Sequence, residues 1–210
     1  TAGGAFSCVS SALGQGAHTV NATAADAAGN VSPTSNTNGF TIDSIAPAAP
    51  TVSAPANGAS VATTTPTVSG TAEANSTVTV RVDGLVVCTT TATAAGAFSC
   101  ASSALGQGSH TVNATAADAA GNVSATSGTN TFTVDSLAPL APTVSAPADG
   151  STVTTTTPTV SGTAEANSTV TVRVDGLVVC TTTATALGAF SCVSSALGQG
   201  AHTVNASAAD

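Results

Sequence analysis

Hydrophobic and polar residues alternate along short stretches of this chain, and residues that favour turns separate the stretches. The clearest example is Ser76–Asp83, in which every second residue is a valine. Alternate side chains of a strand point to opposite faces, so this stretch predicts a half-buried β-strand. The pair Asp83 and Gly84 then predicts a tight hairpin turn, because glycine adopts the positive φ that such turns require. No stretch has a helical period, and the pattern predicts an all-β protein.

Seven such strands are predicted within about 92 residues. They are Thr51–Ser53, Pro66–Gly70, Ser76–Asp83, Leu85–Thr91, Ala97–Cys100, His110–Ala116 and Thr131–Val134. Seven short strands separated by turns at this spacing are typical of an immunoglobulin-like β-sandwich. The sequence therefore predicts sandwiches of about seven strands.

The whole pattern repeats every 92 residues. Residues 48–118 differ from residues 140–210 at only 9 of 71 positions, and residues 1–44 differ from residues 93–136 at 7 of 44. This period predicts the C-terminal part of a repeat in residues 1–43 and a complete repeat in residues 44–135. Residues 136–210 are predicted to be a repeat that lacks its last strand.

The ends of the chain and its linker allow further expectations. We expect the chain to be a window from a longer array; the alternative is a subunit whose ends are completed by neighbouring copies. The last repeat would then offer an open sheet edge, and a strand around Phe40–Ile42 of another copy could complete it. The proline-containing linker Asp135–Pro142 predicts stiff connections, hence tandem sandwiches arranged as a rod.

Several segments of the repeat resemble the bacterial Ig-like repeats of large surface adhesins and biofilm-associated proteins. These segments are Pro66–Val80, His110–Val112, Ala117–Asn122, Phe132–Asp135 and Ala138–Pro139. The resemblance implies a secreted protein on a bacterial cell surface, with a structural role in the stalk or shaft of an adhesin or filament. The alternative is a module that binds a glycan or a host protein, which would need an exposed aromatic patch or a polar groove. Phe98 and Phe132, the aromatic residues of the complete repeat, lie on predicted strands.

Composition narrows the possible partners. Lysine and arginine together number 2, and the formal net charge is −8. Binding to nucleic acid relies on neutralising phosphates with these residues, so we expect no nucleic-acid partner. No stretch is long and apolar enough to span a bilayer, so we expect no membrane insertion in this segment. Each catalytic candidate recurs with the repeat, so we do not expect an enzyme.

The cysteines recur with the repeat as well. Cys88 and Cys100 flank a predicted turn near Thr93–Gly96, and facing positions of two antiparallel strands can form a disulfide. The spacing therefore predicts a hairpin disulfide, Cys88–Cys100, and its copy Cys180–Cys192. Cys8 matches Cys100, so its partner is predicted to lie outside this chain. Disulfides indicate an oxidising compartment, whereas metal binding is disfavoured because the chain contains no CxxC motif.

Carboxylates are few, so their positions carry information. Asp118 follows the sixth predicted strand, Asp135 follows the seventh, and both recur as Asp26 and Asp43. If Asp118 and Asp135 share one end of the sandwich, they could bind Ca²⁺ with nearby carbonyl groups at the joint between repeats. The resemblance implies such calcium use. The alternative interpretation makes Asp118 a turn residue and Asp135 the start of the linker.

Three histidines occupy one repeat position. His18, His110 and His202 each begin the sixth predicted strand of their repeat. A catalytic histidine needs a nucleophile or an acid within reach, and the sequence singles out neither. We therefore interpret each histidine as filling the end of its strand.

Overall fold

A computed structural model describes residues 4–210 of the chain, and all of its regular elements in that range are β-strands. The chain divides into two compact units. The first unit ends at Ser136 and the second begins at Leu137. This division lies one residue from the predicted boundary after Asp135. No helix that could cross a membrane is present in the described part of the chain.

The first unit opens with a two-stranded antiparallel sheet. Strand β1 (Gly16–Val20) pairs with strand β2 (Asn38–Ile42), and His18 lies opposite Phe40. No other strand of the described residues pairs with this sheet. Most side chains in residues 4–43 are consequently exposed, including Phe40 at 41%.

The rest of the first unit is a sandwich of two sheets. Its strands are β3 (Thr51–Ala54), β4 (Ala59–Val61), β5 (Thr67–Thr71), β6 (Thr77–Val82), β7 (Leu85–Thr91), β8 (Ala97–Ala101), β9 (Gly108–Ala117) and β10 (Asn130–Val134). One sheet has the order β4-β10-β9-β6-β7 and the other the order β3-β5-β8. The sandwich predicted from the alternation is thereby confirmed, with all seven predicted strands present.

Strand β4 is an eighth strand that the sequence analysis missed. It pairs in parallel with β10, Phe132 lying opposite Ala59 and Val134 opposite Val61. Three residues are too few to show an alternating pattern. Its partner also lies more than 70 residues further along the chain, so no local signal marks it.

The core of this sandwich is built mainly from alternate residues of β6 and β9 and from two phenylalanines. Its buried members include Val68, Val78, Val80, Val112, Ala114, Phe98 and Phe132. Complete burial of a valine or phenylalanine side chain contributes about 1.5–3 kcal/mol. Gly70 completes the packing, because a Cβ there would lie 2.9 Å from the Phe98 ring and would collide with the Thr51 carbonyl oxygen.

The turn between β6 and β7 has the predicted geometry. Asp83 and Gly84 have φ values of 51° and 81°. Two successive positive φ values are characteristic of the two-residue turn whose twist matches that of the flanking strands. The register of this hairpin shifts between Val80 and Arg81, which pair with Cys88 and Val86, so Val87 forms a bulge.

The second unit repeats most of this architecture. Its strands are β11 (Thr143–Ala146), β12 (Thr159–Thr163), β13 (Thr169–Val174), β14 (Leu177–Thr183), β15 (Ala189–Val193) and β16 (Val204–Ala209). They form two three-stranded sheets, β11-β12-β15 and β14-β13-β16. Within residues 137–210 no strand corresponds to β4 or β10.

Candidate functional site

The disulfides join the two sheets of each sandwich. Cys88 lies on β7 and Cys100 on β8, with an S–S distance of 2.07 Å and a Cα–Cα distance of 6.3 Å. Strand β7 is the edge of one sheet and β8 the edge of the other. The Cys88–Cys100 pair is therefore present, but the predicted hairpin between its strands is wrong. Residues 92–96 carry the chain across from one sheet to the opposite one.

The second unit has the same covalent link. Cys180 on β14 is bonded to Cys192 on β15, with a Cα–Cα distance of 6.3 Å. A closed loop of this length stabilises a fold by about 3 kcal/mol in the chain-entropy model. Cys8 is exposed and has no disulfide partner among residues 4–210. Its predicted partner outside the chain stays a prediction.

An aspartate–histidine pair that the sequence analysis missed links the β6–β7 turn to β9. The Nδ1 atom of His110 lies 2.7 Å from Oδ2 of Asp83, and its Nε2 atom lies 2.9 Å from the carbonyl oxygen of Gly106. Both neighbours are acceptors, so both ring nitrogens are satisfied only when each carries a hydrogen. The site therefore favours the charged imidazolium.

Hydrogen bonding shifts both members of this pair towards their charged forms. The hydrogen bond with Asp83 raises the pKa of His110, and the Gly106 carbonyl adds to the effect. The hydrogen bond from His110 lowers the pKa of Asp83. Asp83 also accepts hydrogen bonds from the backbone N–H of Thr111 at 2.8 Å and from its hydroxyl at 3.1 Å. The pair recurs at Asp175 and His202, where the distance is 2.6 Å.

The arrangement is structural in its chemistry. A general base needs a free ring nitrogen facing a nucleophile, whereas both nitrogens of His110 already face fixed acceptors. The pair ties the β6–β7 turn, the loop before β9 and β9 itself together. A sequence signal existed, because Asp83 and His110 are 27 residues apart and the same spacing recurs at Asp175 and His202.

The start of each linker is held by a glutamine. The side chain of Gln107 accepts a hydrogen bond from the backbone N–H of Ser136 at 3.0 Å and donates one to its hydroxyl at 2.6 Å. Gln15 and Ser44 make the same two contacts at 2.8 and 2.5 Å. The side chain thus fixes the direction in which the chain leaves the last strand of each repeat.

The end of the first repeat also contacts the next one. The side-chain N–H of Asn122 donates a hydrogen bond to the carbonyl oxygen of Asp43 at 3.1 Å. Two prolines of the connecting segment, Pro47 and Pro50, are buried. The segment between residues 43 and 51 is therefore bonded at its start and buried at its two prolines.

Asp118 and Asp135 lie at opposite ends of one sandwich. Asp118 directly follows β9, whereas Asp135 follows Val134, which pairs with the first residue of β9. Ten strand residues at about 3.3 Å each place the two carboxylates about 30 Å apart at opposite ends of the sandwich. The two strands run antiparallel, so the ends that follow them point in opposite directions.

The Asp118 carboxylate is occupied by its own loop. Its two oxygens accept hydrogen bonds from the backbone N–H and the side-chain N–H of Asn122 at 2.9 and 2.8 Å. Asp26 has the same contacts with Asn30 at 2.9 and 2.8 Å. Hydrogen bonds from these asparagine side chains lower the pKa of both aspartates. These contacts support the alternative interpretation of a turn residue.

Asp43 and Asp135 begin their linkers. An oxygen of Asp43 accepts a hydrogen bond from the N–H of Ile45 at 3.3 Å, and the N–H of Asp135 donates to the Val61 carbonyl oxygen at 2.9 Å. Across residues 4–210, no three histidine, cysteine, aspartate or glutamate side chains lie together as a metal site would require. Calcium binding at the joint between repeats stays a prediction.

Two buried serines protect the edge of β9 beyond the end of β10. The hydroxyl groups of Ser124 and Ser127 accept hydrogen bonds from the N–H groups of Ala116 and Ala114, both at 2.9 Å. The backbone N–H groups of the two serines donate to the carbonyl oxygens of the same alanines. An exposed strand edge can pair with other chains, so this edge is closed by its own loop.

Residues 53–136, which include most of this sandwich, match the sequence model of a known family, described as the bacterial Ig-like domain. Residues 53–136 form a bacterial Ig-like domain. The disulfide between its sheets, the Asp83–His110 pair and the glutamine at its linker are thus features of one Ig-like domain of this chain. Its near-identical copy in residues 137–210 carries the first two.

Solved structures similar to the chain include fibronectin(III)-like modules and a bacterial adhesin. The fibronectin(III)-like modules of Clostridium thermocellum CbhA are 18% identical, with 76% of this chain and 84% of that chain covered and a TM-score of 0.48. A 1.5-MDa bacterial ice-binding adhesin is 22% identical, with coverage of 93% and 74% and a TM-score of 0.36.

The BSP domain of a biofilm-associated protein is also 22% identical, with coverage of 77% and 27% and a TM-score of 0.28. No protein of curated function matches the sequence. At this level of identity the likenesses concern the fold and carry no argument about binding.

The aromatic residues of the Ig-like domain leave little for a binding surface. Phe98 and Phe132 are 3% and 1% exposed. They fill the core, so they cannot form the exposed aromatic patch that the alternative function, a glycan- or protein-binding module, would use.

Proposed function

We propose that the chain is part of an extracellular array of Ig-like domains that acts as a spacer, in the stalk of a bacterial surface adhesin or in the shaft of a filament. The function of such an array is reach: each added domain moves the tip further from the cell. Reach requires that the domains resist unfolding and that the joints between them resist bending.

The observation that carries this proposal is the bonded linker. Gln15 holds Ser44, Asn122 holds the carbonyl group of Asp43, and Pro47 and Pro50 are buried. A linker with these contacts has few free torsions, whereas an unbonded glycine- or serine-rich linker behaves as a random coil. The rod predicted from the sequence is therefore part of this proposal.

The disulfides support the extracellular part. Such bonds persist in oxidising compartments and are rare in the cytosol. The surface adds to this, since only 6% of the residues are charged and serine and threonine cover the exposed faces. The bonds between the sheets also suit a domain under tension, because a covalent link keeps the two sheets together when hydrogen bonds break.

The proposal is tested by measuring how the length of the array grows with the number of domains. Further copies of residues 44–135 would be inserted in frame to give chains with one, three and five complete repeats. Small-angle X-ray scattering would then give the longest dimension of each chain. A bonded linker predicts a constant increment per repeat, whereas a flexible linker predicts growth close to the square root of the number of repeats.

A matched pair of substitutions identifies the contact responsible. Asn122→Ala in each inserted copy removes the bond to the preceding linker together with a bond to Asp118. Asn30→Ala removes the corresponding bond to Asp26, and no contact of Asn30 with a linker is present in the described structure. The first change should shorten the array and the second should not. Square-root growth in the unaltered chains would contradict the stalk.

A further inference from the structure

Two strands of the five-stranded sheet, β4 and β10, come from the two ends of the Ig-like domain and lie side by side. They form the one parallel pair among the described strands, with Phe132 opposite Ala59 and Val134 opposite Val61. Parallel neighbours need a long connection, and here the connection is the rest of the domain. The segment near the chain's entry into the domain is therefore bonded to the strand from which the chain leaves.

The ladder between these strands is short, but further hydrogen bonds extend it in both directions. Before the ladder, the N–H of Gly58 donates to the carbonyl oxygen of Thr131 at 2.6 Å. The N–H of Thr131 donates in turn to the side-chain oxygen of Asn57 at 2.8 Å. After the ladder, the N–H of Asp135 donates to the carbonyl oxygen of Val61 at 2.9 Å. The contact between the two segments thus extends well beyond the three paired residues.

One side chain ties β10 to the other sheet as well. The side-chain N–H groups of Asn130 donate to the carbonyl oxygens of Val52 and Pro55, both at 3.0 Å. Val52 lies on β3, which belongs to the opposite sheet. Asn130 thereby joins the last strand to the first strand that the chain forms in the sandwich. We call the contacts between residues 52–61 and residues 130–135 the terminal clamp.

The chain enters and leaves the sandwich at opposite ends. The linker before the domain is bonded through the Asp43 carbonyl group to Asn122, in the loop that follows β9. The exit at Asp135 follows Val134, which lies opposite Gly108, the first residue of β9. A pull on the two ends of the domain therefore acts along the strands.

Such a pull loads the terminal clamp in shear. The entering chain draws residues 52–61 towards one end of the sandwich, and the leaving chain draws β10 towards the other. The hydrogen bonds of a ladder run between the strands, so sliding loads all of them together. Peeling from one end would instead load them one at a time. Sharing the load slows the rupture of the clamp at a given force.

The disulfide lies outside this path. Cys88 is on β7 and Cys100 on β8, and neither strand is a neighbour of β4 or β10. The covalent bond therefore carries no load while the terminal clamp holds. After the clamp opens, the bond limits the extension of the domain, because the residues between the two cysteines stay in a closed loop.

We propose that the terminal clamp is the force-bearing element of the Ig-like domain and that Asn130 holds both sheets in it. The domain stays folded under tension for as long as residues 52–61 keep their contacts with residues 130–135. The inference rests on the proposed function for the origin of the load and goes beyond it in naming the contacts that bear it. A flexible array would fail the scattering test and would still show the clamp when stretched.

Single-molecule stretching at constant force tests the clamp. The chain with five complete repeats would be held by peptide tags at its two ends, so that each repeat gives its own unfolding step. Asn130→Ala in every complete repeat should raise the unfolding rate at a fixed force about 5–30-fold, because two hydrogen bonds in the loaded path are lost. Asn57→Ala removes a single bond of the clamp at an exposed position and should raise the rate about fivefold. It replaces Asn130→Ala if that variant is unfolded before stretching.

Ser124→Ala is the matched control. The Ser124 hydroxyl also makes a buried hydrogen bond, accepting from the N–H of Ala116 at 2.9 Å. Its loop precedes β10 in the chain and takes no load until the clamp opens. The variant should lower the equilibrium stability in urea, yet it should change the unfolding rate at a fixed force by less than about twofold, because its bond is still intact when the clamp breaks.

Reduction of the disulfides gives a readout that needs no substitution. Cys88 and Cys100 are separated by 12 positions, and the bond holds their Cα atoms 6.3 Å apart. The same residues reach about 40 Å when extended, so reduction with dithiothreitol should lengthen each unfolding step by about 35 Å. The unfolding rate at a fixed force should stay the same, because the bond is outside the loaded path.

The proposal is overturned by any of three results. The first is equal acceleration of unfolding by the clamp variant and by Ser124→Ala. The second is an unchanged rate in both Asn130→Ala and Asn57→Ala, which would place the load on the β3–β5 pairing alone. The third is a reduced chain that unfolds at a fixed force as fast as the Asn130→Ala chain, which would place the disulfide in the loaded path.

Discussion

Residues 44–118 and 136–210 have almost the same sequence, yet one stretch forms a closed sandwich and the other an open one. The parts of the core that lie far from β10 are alike: Val78 and Val170 are both 0% exposed, and Phe98 and Phe190 are 3% and 4% exposed. The parts that face β10 differ. Val112 is fully buried, whereas its counterpart Val204 is only half-buried.

The difference shows which elements depend on a distant strand. Strands β12, β13, β14 and β15 keep the bounds of their counterparts. The counterpart of β4 disappears, and β16 has six residues where β9 has ten. A strand that is central in its sheet or held by a disulfide forms in either setting, whereas a short edge strand forms only beside its partner.

The largest expected effect comes from removing the side chain that closes the sandwich. Phe132→Ala should lower the free energy of unfolding of the first unit by about 3–5 kcal/mol, because it leaves a large cavity in the core. Phe40→Ala removes the corresponding ring where it is exposed and should change stability by less than about 0.5 kcal/mol. Urea unfolding followed by circular dichroism measures both.

These two substitutions test whether the closed sandwich depends on the phenylalanine of β10. If Phe132→Ala opens the sandwich as expected, hydrogen exchange at residues 59–61 and 108–111 should become as fast as at residues 151–153 and 200–203. Equal destabilisation by the two substitutions would contradict the comparison, since Phe40 would then be buried in solution.

The disulfides should give the next largest effect. Replacing Cys88 and Cys100 by serine should cost about 3 kcal/mol, and replacing Cys180 and Cys192 should cost the same, because the loops have equal length. The consequence differs, since the open second unit has fewer buried side chains to hold it together. Its transition should be lost first in thermal unfolding.

The double-serine variants are compared with a variant that loses a cysteine but no disulfide. A variant with alanine at Cys8 removes a thiol that forms no disulfide within the described chain and serves as the control. When both disulfides are removed, the second unit should unfold at a lower temperature than the first. A higher unfolding midpoint for the second unit would contradict the dependence on β10.

Most of the fold could be predicted from the sequence because the signals for it are local. The valine alternation of β6 and the Asp83-Gly84 turn each depend on residues adjacent in the sequence. Both are at the predicted positions. The assignment of strands to sheets is not local. Cys88 and Cys100 were predicted to face each other in a hairpin, but the chain crosses between sheets after Thr91, and no residue nearby signals that crossing.

The site was predicted less well for the same reason. The contacts of Asn122 with Asp43 and of Gln107 with Ser136 join residues 79 and 29 positions apart. Asp118 and Asp135 were predicted to share an end because both follow strands, but adjacent antiparallel strands end at opposite edges. The pairing of Asp83 with His110 was accessible, because its spacing recurs, whereas its geometry needed the sheet.

The smallest expected effect is a pH dependence that both units share. The raised pKa of His110 means that its contribution to stability is fully present below the unfolded value of 6.5 and is lost as the pH rises through the folded value. The lowered pKa of Asp83 means that its contribution is present above 3.8 and is lost as the pH falls through the folded value. The pair therefore stabilises the first unit most between about pH 3.8 and 6.5.

Unfolding in urea at pH values from 3 to 9 measures this dependence. Exposed ion pairs contribute about 0.2–1 kcal/mol, so the loss above pH 6.5 should be in that range for Asp83 and His110. Asp83→Asn is the matched variant, because asparagine tolerates the positive φ of the turn but removes the charge. It should flatten the profile above pH 6.5, and a profile that keeps its slope would assign the dependence to other groups.

The pair at Asp175 and His202 should respond in the same direction, since the contacts and the direction of both pKa shifts are the same without β10. The two sandwiches should therefore agree in the pH dependence that the aspartate–histidine pair causes. They differ in the structure around Phe132 and β4.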